Sequence, residues 1–150
     1  MKVAVACDHG GFPIKDAVLE TVWSTGHEAI DLGTFTPDMI DYPDITQRAG
    51  QAIQKGQAER AVVVCGSGVG ACVAANKMQG IYAAICHDTY SAHQGVEHDN
   101  MNILCLGARI IGPELAKEII AAFLHAQFST VERYRRRFGK VQRMEKGEII

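Results

Sequence analysis

Short apolar runs recur along the chain and are separated by longer segments of mixed polarity. The runs lie at residues 3–7, 29–32, 61–65, 81–86 and 103–106, and they are rich in Val, Ile and Ala without clean polar alternation. Each run is too short to form a helix, whereas a strand that is buried on both faces has this continuous apolar pattern. The runs therefore predict five buried, parallel β-strands.

The segments between these runs have the apolar spacing of helices. They lie at residues 14–25, 45–55, 69–78, 91–98 and 114–126, and a last helix is expected at 131–144. Pro13 suits a helix start and Gly26 suits a helix stop. Because strand–helix alternation implies right-handed crossovers, the pattern predicts an α/β fold with a doubly wound, five-stranded parallel sheet flanked by helices. We expect one domain over residues 1–150.

The composition is that of a folded globular protein, with 47% apolar and 21% charged residues. The cysteines are five in number and contain no C-x-x-C pair, so neither a disulfide framework nor a zinc site is indicated. No apolar stretch has the length of a secretory leader or of a membrane span. We expect a protein of the reducing cytoplasm with no metal ion and no membrane partner.

Residues capable of chemistry cluster directly after the predicted strands. Asp8 and His9 follow the first strand, Cys65 ends the third, His87 follows the fourth and Arg109 follows the fifth. In open α/β sheets, ligands bind outside the carboxyl ends of the strands. The sequence therefore predicts a ligand site at this edge. Asp8 and His9 suit sugar hydroxyls or phosphate there, or form a plain polar turn, and His87 is interpreted as an ordinary surface or core histidine.

Residues 65–70, Cys-Gly-Ser-Gly-Val-Gly, join the third strand to a helix. The glycines let the backbone approach a ligand, and free N–H groups together with the helix dipole form a site for negative charge. The same dipole favours the thiolate form of Cys65, which makes this residue a candidate base or nucleophile. A strand-end cysteine before a tightly packed turn is the structural alternative.

The same turn also matches a dinucleotide-binding fingerprint. Residues 66–71 read Gly-x-Gly-x-x-Ala, and the acidic Asp88 follows about twenty residues later, as that motif expects. However, the turn follows the third strand rather than the first, and little chain remains afterwards for a substrate domain. Nucleotide binding therefore stays as a competing interpretation.

Basic residues concentrate at the end of the chain, although the net charge is −2. Arg133 and Arg137 are four residues apart, so both project from one face of the last helix, where they suit a phosphate group. A solvated basic helix is the alternative. Nucleic-acid binding is not expected, because the basic run is short, has few aromatic residues and belongs to a slightly acidic chain.

Taken together, the sequence resembles the type B ribose-5-phosphate isomerases and their hexose-phosphate isomerase relatives over essentially the whole chain. The matched stretches are residues 7–12 with Lys15, 41–44, 65–70 continuing through 74–77 and 80–81, 98–102, and Arg133 with Arg137. The resemblance implies Rossmann-like subunits in a homodimer, or in a tetramer, with active sites shared between two chains. It also implies that no metal and no organic cofactor takes part.

The resemblance further implies roles for individual residues. Cys65 would be the base that removes the C2 proton, His98 the ring-opening residue, and Ser67 a hydroxyl contact to the sugar oxygens. The binding positions are the backbone amides of Gly66, Gly68, Val69 and Gly70 for the enediolate, Asp8, Tyr42 and Asp99 for the sugar, and His9, Arg109, Arg133 and Arg137 for the phosphate. His98 and Arg109 are expected to reach a site whose Cys65 belongs to the other chain.

The implied reaction is the interconversion of ribose 5-phosphate and ribulose 5-phosphate. Asp99 stands where the family usually has Asn, and Tyr134 where it commonly has His, so allose, galactose and tetrose phosphates stay open as substrates. Two other functional classes remain, a nicotinamide-binding oxidoreductase and a non-catalytic phosphosugar-binding subunit. Enhanced NADH fluorescence would favour the first, and ligand-induced thermal stabilisation without turnover would favour the second.

Overall fold

The computed structural model describes residues 1–150 and contains one sheet of five parallel strands. The strands are β1 (Lys2–Cys7), β2 (Glu28–Asp31), β3 (Arg60–Cys65), β4 (Ala83–Ile85) and β5 (Ile103–Gly107). They lie in the order β2-β1-β3-β5-β4. The predicted parallel strands and the doubly wound α/β fold are thereby confirmed.

Six α-helices accompany the strands. They are α1 (Lys15–Ser24), α2 (Tyr42–Gln54), α3 (Val69–Ala75), α4 (Thr89–Asp99), α5 (Pro113–His125) and α6 (Glu132–Glu145), and a 3-10 turn at Phe12–Ile14 precedes α1. Each predicted helix is present. None of the helices combines the length and the apolar character that a membrane span requires.

Alternating strand residues build a separate core on each face of the sheet. On one face, Val5, Val62 and Leu104 pack with apolar side chains of α1, α4 and α5. On the other face, Val63 and Cys65 pack with side chains of α2 and α3. Both faces of the central strands are therefore buried, which explains why these strands have continuous apolar sequences.

Two helix boundaries differ from the sequence expectation by three residues, and the other boundaries by at most two. Helix α2 begins at Tyr42 rather than at residue 45, because Pro43 occupies its first turn, where a fixed φ favours helix initiation. Helix α3 ends at Ala75 rather than at residue 78. There the Asn76 side chain donates to the carbonyl oxygens of Cys72 and Ala83 and accepts from the Ala83 amide, which ties the end of the helix to β4.

The strand order leaves a gap at the carboxyl edge of the sheet, between the connection that follows β1 and the connection that follows β3. From β1 the chain crosses to β2 on one side, whereas β3 leads to β5 and β4 on the other. Ligands of open α/β sheets bind at such a reversal. The adjacent ends of β1 and β3 are held together there, since the Asp8 amide donates to the Val64 carbonyl oxygen at 3.1 Å.

Candidate active site

A cleft of about 340 Å³ opens at this reversal point. It is lined by Asp8, Tyr42, Cys65, Gly66, Ser67, Gly70, Arg109 and Ile110. The structure thus brings together six residues that sequence analysis expected here for catalysis or sugar binding, together with Arg109 and one residue that it missed, Ile110. A larger groove of about 700 Å³ lies between residues 76–82 and α6, but it contains no cysteine or histidine.

The Cys65 thiol sits at the floor of the cleft, at the end of β3. The residue is only 4% exposed, and the Gly68 amide donates a hydrogen bond to its sulfur at 3.0 Å. This bond exists because the 65–70 turn folds back over the side chain before α3 begins. A donor aimed at the sulfur is the contact that a negatively charged sulfur needs. The thiol is therefore held in a fixed position, ready to act on a small ligand.

Two glycines shape the wall of the cleft. Gly68 has φ +82°, and a Cβ at this position would lie 3.2 Å from the Leu106 carbonyl carbon, so both the conformation and the space require glycine. A Cβ at Gly70 would lie 2.9 Å from the ring of Tyr42. The absence of a side chain at residue 70 thus lets the Tyr42 ring lie directly against the start of α3.

Several polar groups of the cleft are left free for a ligand. The amides of Gly66 and Ser67 have no acceptor within the protein, whereas the Val69 amide donates to the Ser67 hydroxyl at 3.3 Å. The Ser67 oxygen therefore accepts from the backbone, and its proton remains available to a ligand. One oxygen of the buried Asp8 accepts from the Gly11 amide at 2.9 Å, and the other makes no hydrogen bond.

The backbone cradle is narrower than the sequence predicted. The amides of Gly66, Gly68, Val69 and Gly70 were expected to face an anionic ligand together. In the structure the Gly68 amide is committed to the Cys65 sulfur and the Val69 amide to Ser67, because the turn is closed by its own side chains. Of the four predicted amides, those of Gly66 and Gly70 have no acceptor within the protein, and the Ser67 amide is a further free donor.

Arg109 lies beside the Cys65 turn of its own chain. A Cβ at Gly66 would be 3.5 Å from its Nε atom, and its backbone amide donates to the Gly66 carbonyl oxygen at 3.0 Å. Arg109 thus lines the cleft of its own chain, whereas it was expected to reach Cys65 of the other chain. The reason is topological, since β5 pairs directly with β3 and both carboxyl ends meet at one edge.

His98 lies at the opposite edge of the sheet. It is the tenth residue of α4, which starts at the carboxyl edge after β4 and runs back for about 16 Å at 1.5 Å per residue. There its ring stacks on Tyr134 of α6, with centroids 3.9 Å apart and planes 12° from parallel. Neither His98 nor the adjacent Asp99 lines the cleft. Within one chain, His98 is therefore separated from Cys65.

The arginines of α6 divide into paired and unpaired residues. Arg136 and Arg143 form ion pairs with glutamates, and Arg135 covers the ring of Phe128. Arg133 and Arg137 form no ion pair, as is also the case for Arg109. Arg133 lies over the Tyr134 ring and donates to its hydroxyl group. Two arginines without an ion pair therefore lie one helical turn apart on α6, whose Tyr134 stacks on His98 of α4.

His9 contacts the loop that leads into α2. Its Nδ1 atom lies 3.3 Å from the Ile40 carbonyl oxygen and 3.5 Å from the Ile40 amide nitrogen. The ring does not line the Cys65 cleft. The contacted residue, Ile40, lies two residues before Tyr42 in the chain. His9 is therefore near Tyr42 but outside the part of the site that contains Cys65.

Cysteines outside the cleft differ in the direction of their pKa shifts. Burial raises the pKa of Cys7 and of Cys86 to about 11, which agrees with their expected role as small apolar side chains. A hydrogen bond with Cys105 is the largest effect on Cys72 and lowers its pKa to about 7. Sequence analysis did not predict an acidic thiol at Cys72, because its cause is a contact between α3 and β5. No cluster of three His, Cys, Asp or Glu side chains is arranged to hold a metal ion.

Comparison with known proteins identifies the family. The family model described as Ribose/Galactose Isomerase matches residues 3–141. The chain belongs to this family. It is 39% identical to ribose-5-phosphate isomerase B of Escherichia coli, covering 85% of each chain. It is 40% identical to D-erythrulose-4-phosphate isomerase of Pectobacterium atrosepticum, again covering 85% of each.

The fold of the family is equally well matched. The type B ribose 5-phosphate isomerase of Trypanosoma cruzi superposes with a TM-score of 0.95 and 37% identity, over 99% of this chain and 100% of that one. The ribose/galactose isomerase family therefore accounts for residues 3–141, and the protein is an aldose–ketose isomerase of sugar phosphates. The Gly-x-Gly-x-x-Ala match accordingly does not make it a nicotinamide-dependent oxidoreductase.

Proposed function

We propose that this enzyme interconverts ribose 5-phosphate and ribulose 5-phosphate, with Cys65 as the base. The observation that carries the proposal is the buried Cys65 thiol in a cleft that also offers free amides and an uncommitted Arg109. The family and the E. coli relative support the same reaction. The proposal places the enzyme in cytoplasmic carbohydrate metabolism, in the pentose phosphate pathway.

Proton transfer between neighbouring carbons follows from this geometry. The Cys65 thiolate takes the proton from C2 of the open-chain aldose, and the electron pair moves through C1=C2 onto O1. The O2 proton passes to O1, and the Cys65 thiol returns its proton to C1 as the C2 carbonyl forms. General base catalysis of this kind contributes about 10²–10⁴-fold.

The enediolate charge develops beside the first residues of the turn. The free amides of Gly66 and Ser67 donate to the negatively charged enediolate oxygen, and the Ser67 hydroxyl donates to a neighbouring sugar oxygen. Fixed donors aimed at developing charge usually make the largest single contribution to catalysis. Asp8 and Tyr42 hold the sugar hydroxyls, because Asp8 keeps one oxygen free and Tyr42 lines the cleft.

Ring opening and phosphate binding require a second chain. His98, Asp99, Arg133 and Arg137 carry the remaining polar chemistry, but they lie away from the Cys65 cleft of their own chain. A symmetric homodimer brings the partner subunit's His98 to this cleft together with the partner's unpaired arginines. Arg109 then contributes to the phosphate end from the same chain as Cys65, and His9 borders that end.

A panel of aldose phosphates, assayed for ketose formation, tests the proposed function. Ribose 5-phosphate is expected to have the highest kcat/KM. Cys65→Ser should lower kcat by about 10²-fold or more, because a hydroxyl is a much weaker acid than a thiol. Cys72→Ser is the matched control, since it changes a thiol outside the cleft, and it should retain activity. Turnover of the Cys65→Ser enzyme at the control's rate would remove Cys65 from the mechanism.

A four-carbon sugar phosphate is the second candidate substrate. It is favoured by the 40% identity to D-erythrulose-4-phosphate isomerase. The same panel separates the two, because a tetrose phosphate with a kcat/KM above that of ribose 5-phosphate would replace the first assignment. We further propose that no metal takes part, so activity should survive dialysis against EDTA. Activity that is lost and then restored by zinc or magnesium would contradict this.

A further inference from the structure

His87 makes a hydrogen bond that extends the sheet beyond the end of β4. The last backbone contact between β4 and β5 is the Cys86 amide donating to the Cys105 carbonyl oxygen at 3.4 Å. The Gly107 amide, two residues further along β5, faces the same side of the strand. Its acceptor is Nε2 of the half-buried His87 ring, at 3.0 Å, instead of a main-chain carbonyl. The ring therefore supplies an acceptor where the ladder has ended.

This bond fixes the protonation state of His87. A ring nitrogen that accepts a hydrogen bond carries no proton, so the ring is neutral with its proton on Nδ1. Leaving a partly buried amide without an acceptor has a free-energy cost comparable to that of a lost hydrogen bond. Gly107 is therefore held in place by a side chain that lies outside the cleft.

Gly107 is the residue against which the catalytic turn packs. A Cβ at Gly107 would lie 2.6 Å from the carbonyl carbon and oxygen of Ser67, so the two backbones are in direct contact. A Cβ at Gly68 would lie 3.4 Å from the Gly107 amide nitrogen. Gly107 therefore packs directly against the backbone of Ser67 and Gly68.

The position of Arg109 also depends on Gly107, which precedes it by two residues in the chain. The segment after Gly107 is bonded to the turn through Ala108, whose amide donates to the Cys65 carbonyl oxygen at 2.9 Å, and through Arg109, whose amide donates to Gly66. The carbonyl oxygen of Gly107 also accepts from the amides of Ile110 and Ile111. The guanidinium group of Arg109 has no side-chain partner of its own, so its place in the cleft is set by this backbone.

We propose that His87 is a positioning residue for the anion-binding side of the cleft. Its neutral ring holds Gly107, and through Gly107 it holds Arg109 beside the Cys65 turn. The inference rests on the proposed function in so far as Arg109 binds the phosphate of the substrate. His87 touches neither substrate nor Cys65, so its effect is on ligand affinity rather than on proton transfer.

Two substitutions separate this role from general packing. His87→Gln places a neutral carbonyl oxygen near the position of Nε2 and so keeps an acceptor for Gly107. His87→Leu keeps the bulk and removes the acceptor. For His87→Leu we expect KM for the sugar phosphate to rise about tenfold, with kcat changing less than about threefold, because the Gly68–Cys65 bond lies within its own turn. His87→Gln should stay within about twofold of the wild type in both.

Binding of inorganic phosphate, measured by calorimetry, gives a readout that needs no turnover. The dissociation constant should rise about tenfold in His87→Leu and recover in His87→Gln. If the wild type isomerises no sugar phosphate, the proposed function fails, and the phosphate measurement still decides the role of His87. A folded His87→Leu enzyme with wild-type KM and phosphate affinity, or a His87→Gln enzyme as impaired as His87→Leu, overturns the inference.

Nitrogen NMR of the wild type keeps the test independent of how the variants fold. The ¹⁵N shifts of His87 should report a protonated Nδ1 and an unprotonated Nε2 at neutral pH, with a slowly exchanging Gly107 amide. A proton found on Nε2 would mean that this nitrogen cannot accept from Gly107. That result would overturn the inference without any substitution.

Discussion

Lys15 provides the sharpest test of how the fold supports the cleft. Its ammonium group is buried and lies 2.8 Å from an Asp31 carboxylate oxygen. It also donates to the Thr34 carbonyl oxygen at 2.8 Å and covers the ring of Phe35 at 4.5 Å. Through these contacts α1 holds the start of the loop that ends at Tyr42. Replacing Lys15 with Met keeps the apolar stem and removes the charge.

The cost of Lys15→Met follows from these contacts. Removing one partner of a buried ion pair costs about 3–5 kcal/mol. The Asp31 side chain is 30% exposed and still accepts from the Gly33 amide, so the lower end of that range applies. The Thr34 carbonyl oxygen loses its side-chain donor, at about 1 kcal/mol. For a chain of this size, 1 kcal/mol corresponds to about 2–4 °C in Tm, so we expect a fall of about 10 °C.

Lys2→Met is the matched control for this measurement. Lys2 pairs with Glu28 at 3.6 Å, and both side chains are more than half exposed, so its loss costs less than about 1 kcal/mol. Differential scanning calorimetry of both variants at one pH compares the two pairs directly. Similar Tm values for Lys15→Met and Lys2→Met would refute the reasoning that burial makes the first pair structurally important.

Three further outcomes are expected from the same structure. Because the pKa of Cys72 is lowered to about 7 and that of Cys86 is raised to about 11, iodoacetamide at neutral pH should alkylate Cys72 before Cys86. Equal labelling of these two residues in peptide mass spectra would contradict this. Burial and the nearby N-terminal ammonium group lower the pKa of His27 from 6.5, so the unfolded chain binds this proton more readily than the folded one. The stability of the fold should therefore decrease as the pH drops below about 6.5, and His27→Gln should make Tm depend less on pH in this range. An unchanged dependence would show that His27 is not its cause. In Gly70→Ala, the new Cβ displaces the Tyr42 ring, so KM should rise by about tenfold, and a wild-type KM would show that Tyr42 does not hold the sugar.

The sheet and the position of the cleft were predictable from the sequence. Continuous apolar runs are the mark of strands buried on both faces, and Val62–Val64 is buried completely. Parallel strands place their carboxyl ends at one edge, which brings Asp8, Cys65 and Arg109 together. The separation of His98 also follows from this logic, since a crossover helix returns to the amino edge before the next strand.

Contacts between distant segments could not be predicted in this way. The bond between His87 and Gly107 depends on where β4 stops relative to β5, which apolar spacing leaves uncertain by several residues. The commitment of the Gly68 amide to Cys65 depends on how tightly the turn closes. The low pKa of Cys72 depends on a neighbour 33 positions away, at Cys105. Each of these is a property of packing rather than of local pattern.

Subunit complementation tests the central claim most directly, namely that one catalytic site combines Cys65 of one chain with the partner subunit's His98. Cys65→Ser and His98→Asn homodimers should each be nearly inactive. After subunit exchange, half of the dimers are mixed and one of the two sites in each is intact, so about a quarter of wild-type activity should return. Exchange is verified by native mass spectrometry. Full exchange without recovery would mean that each site is built from a single chain, and the account would be contradicted.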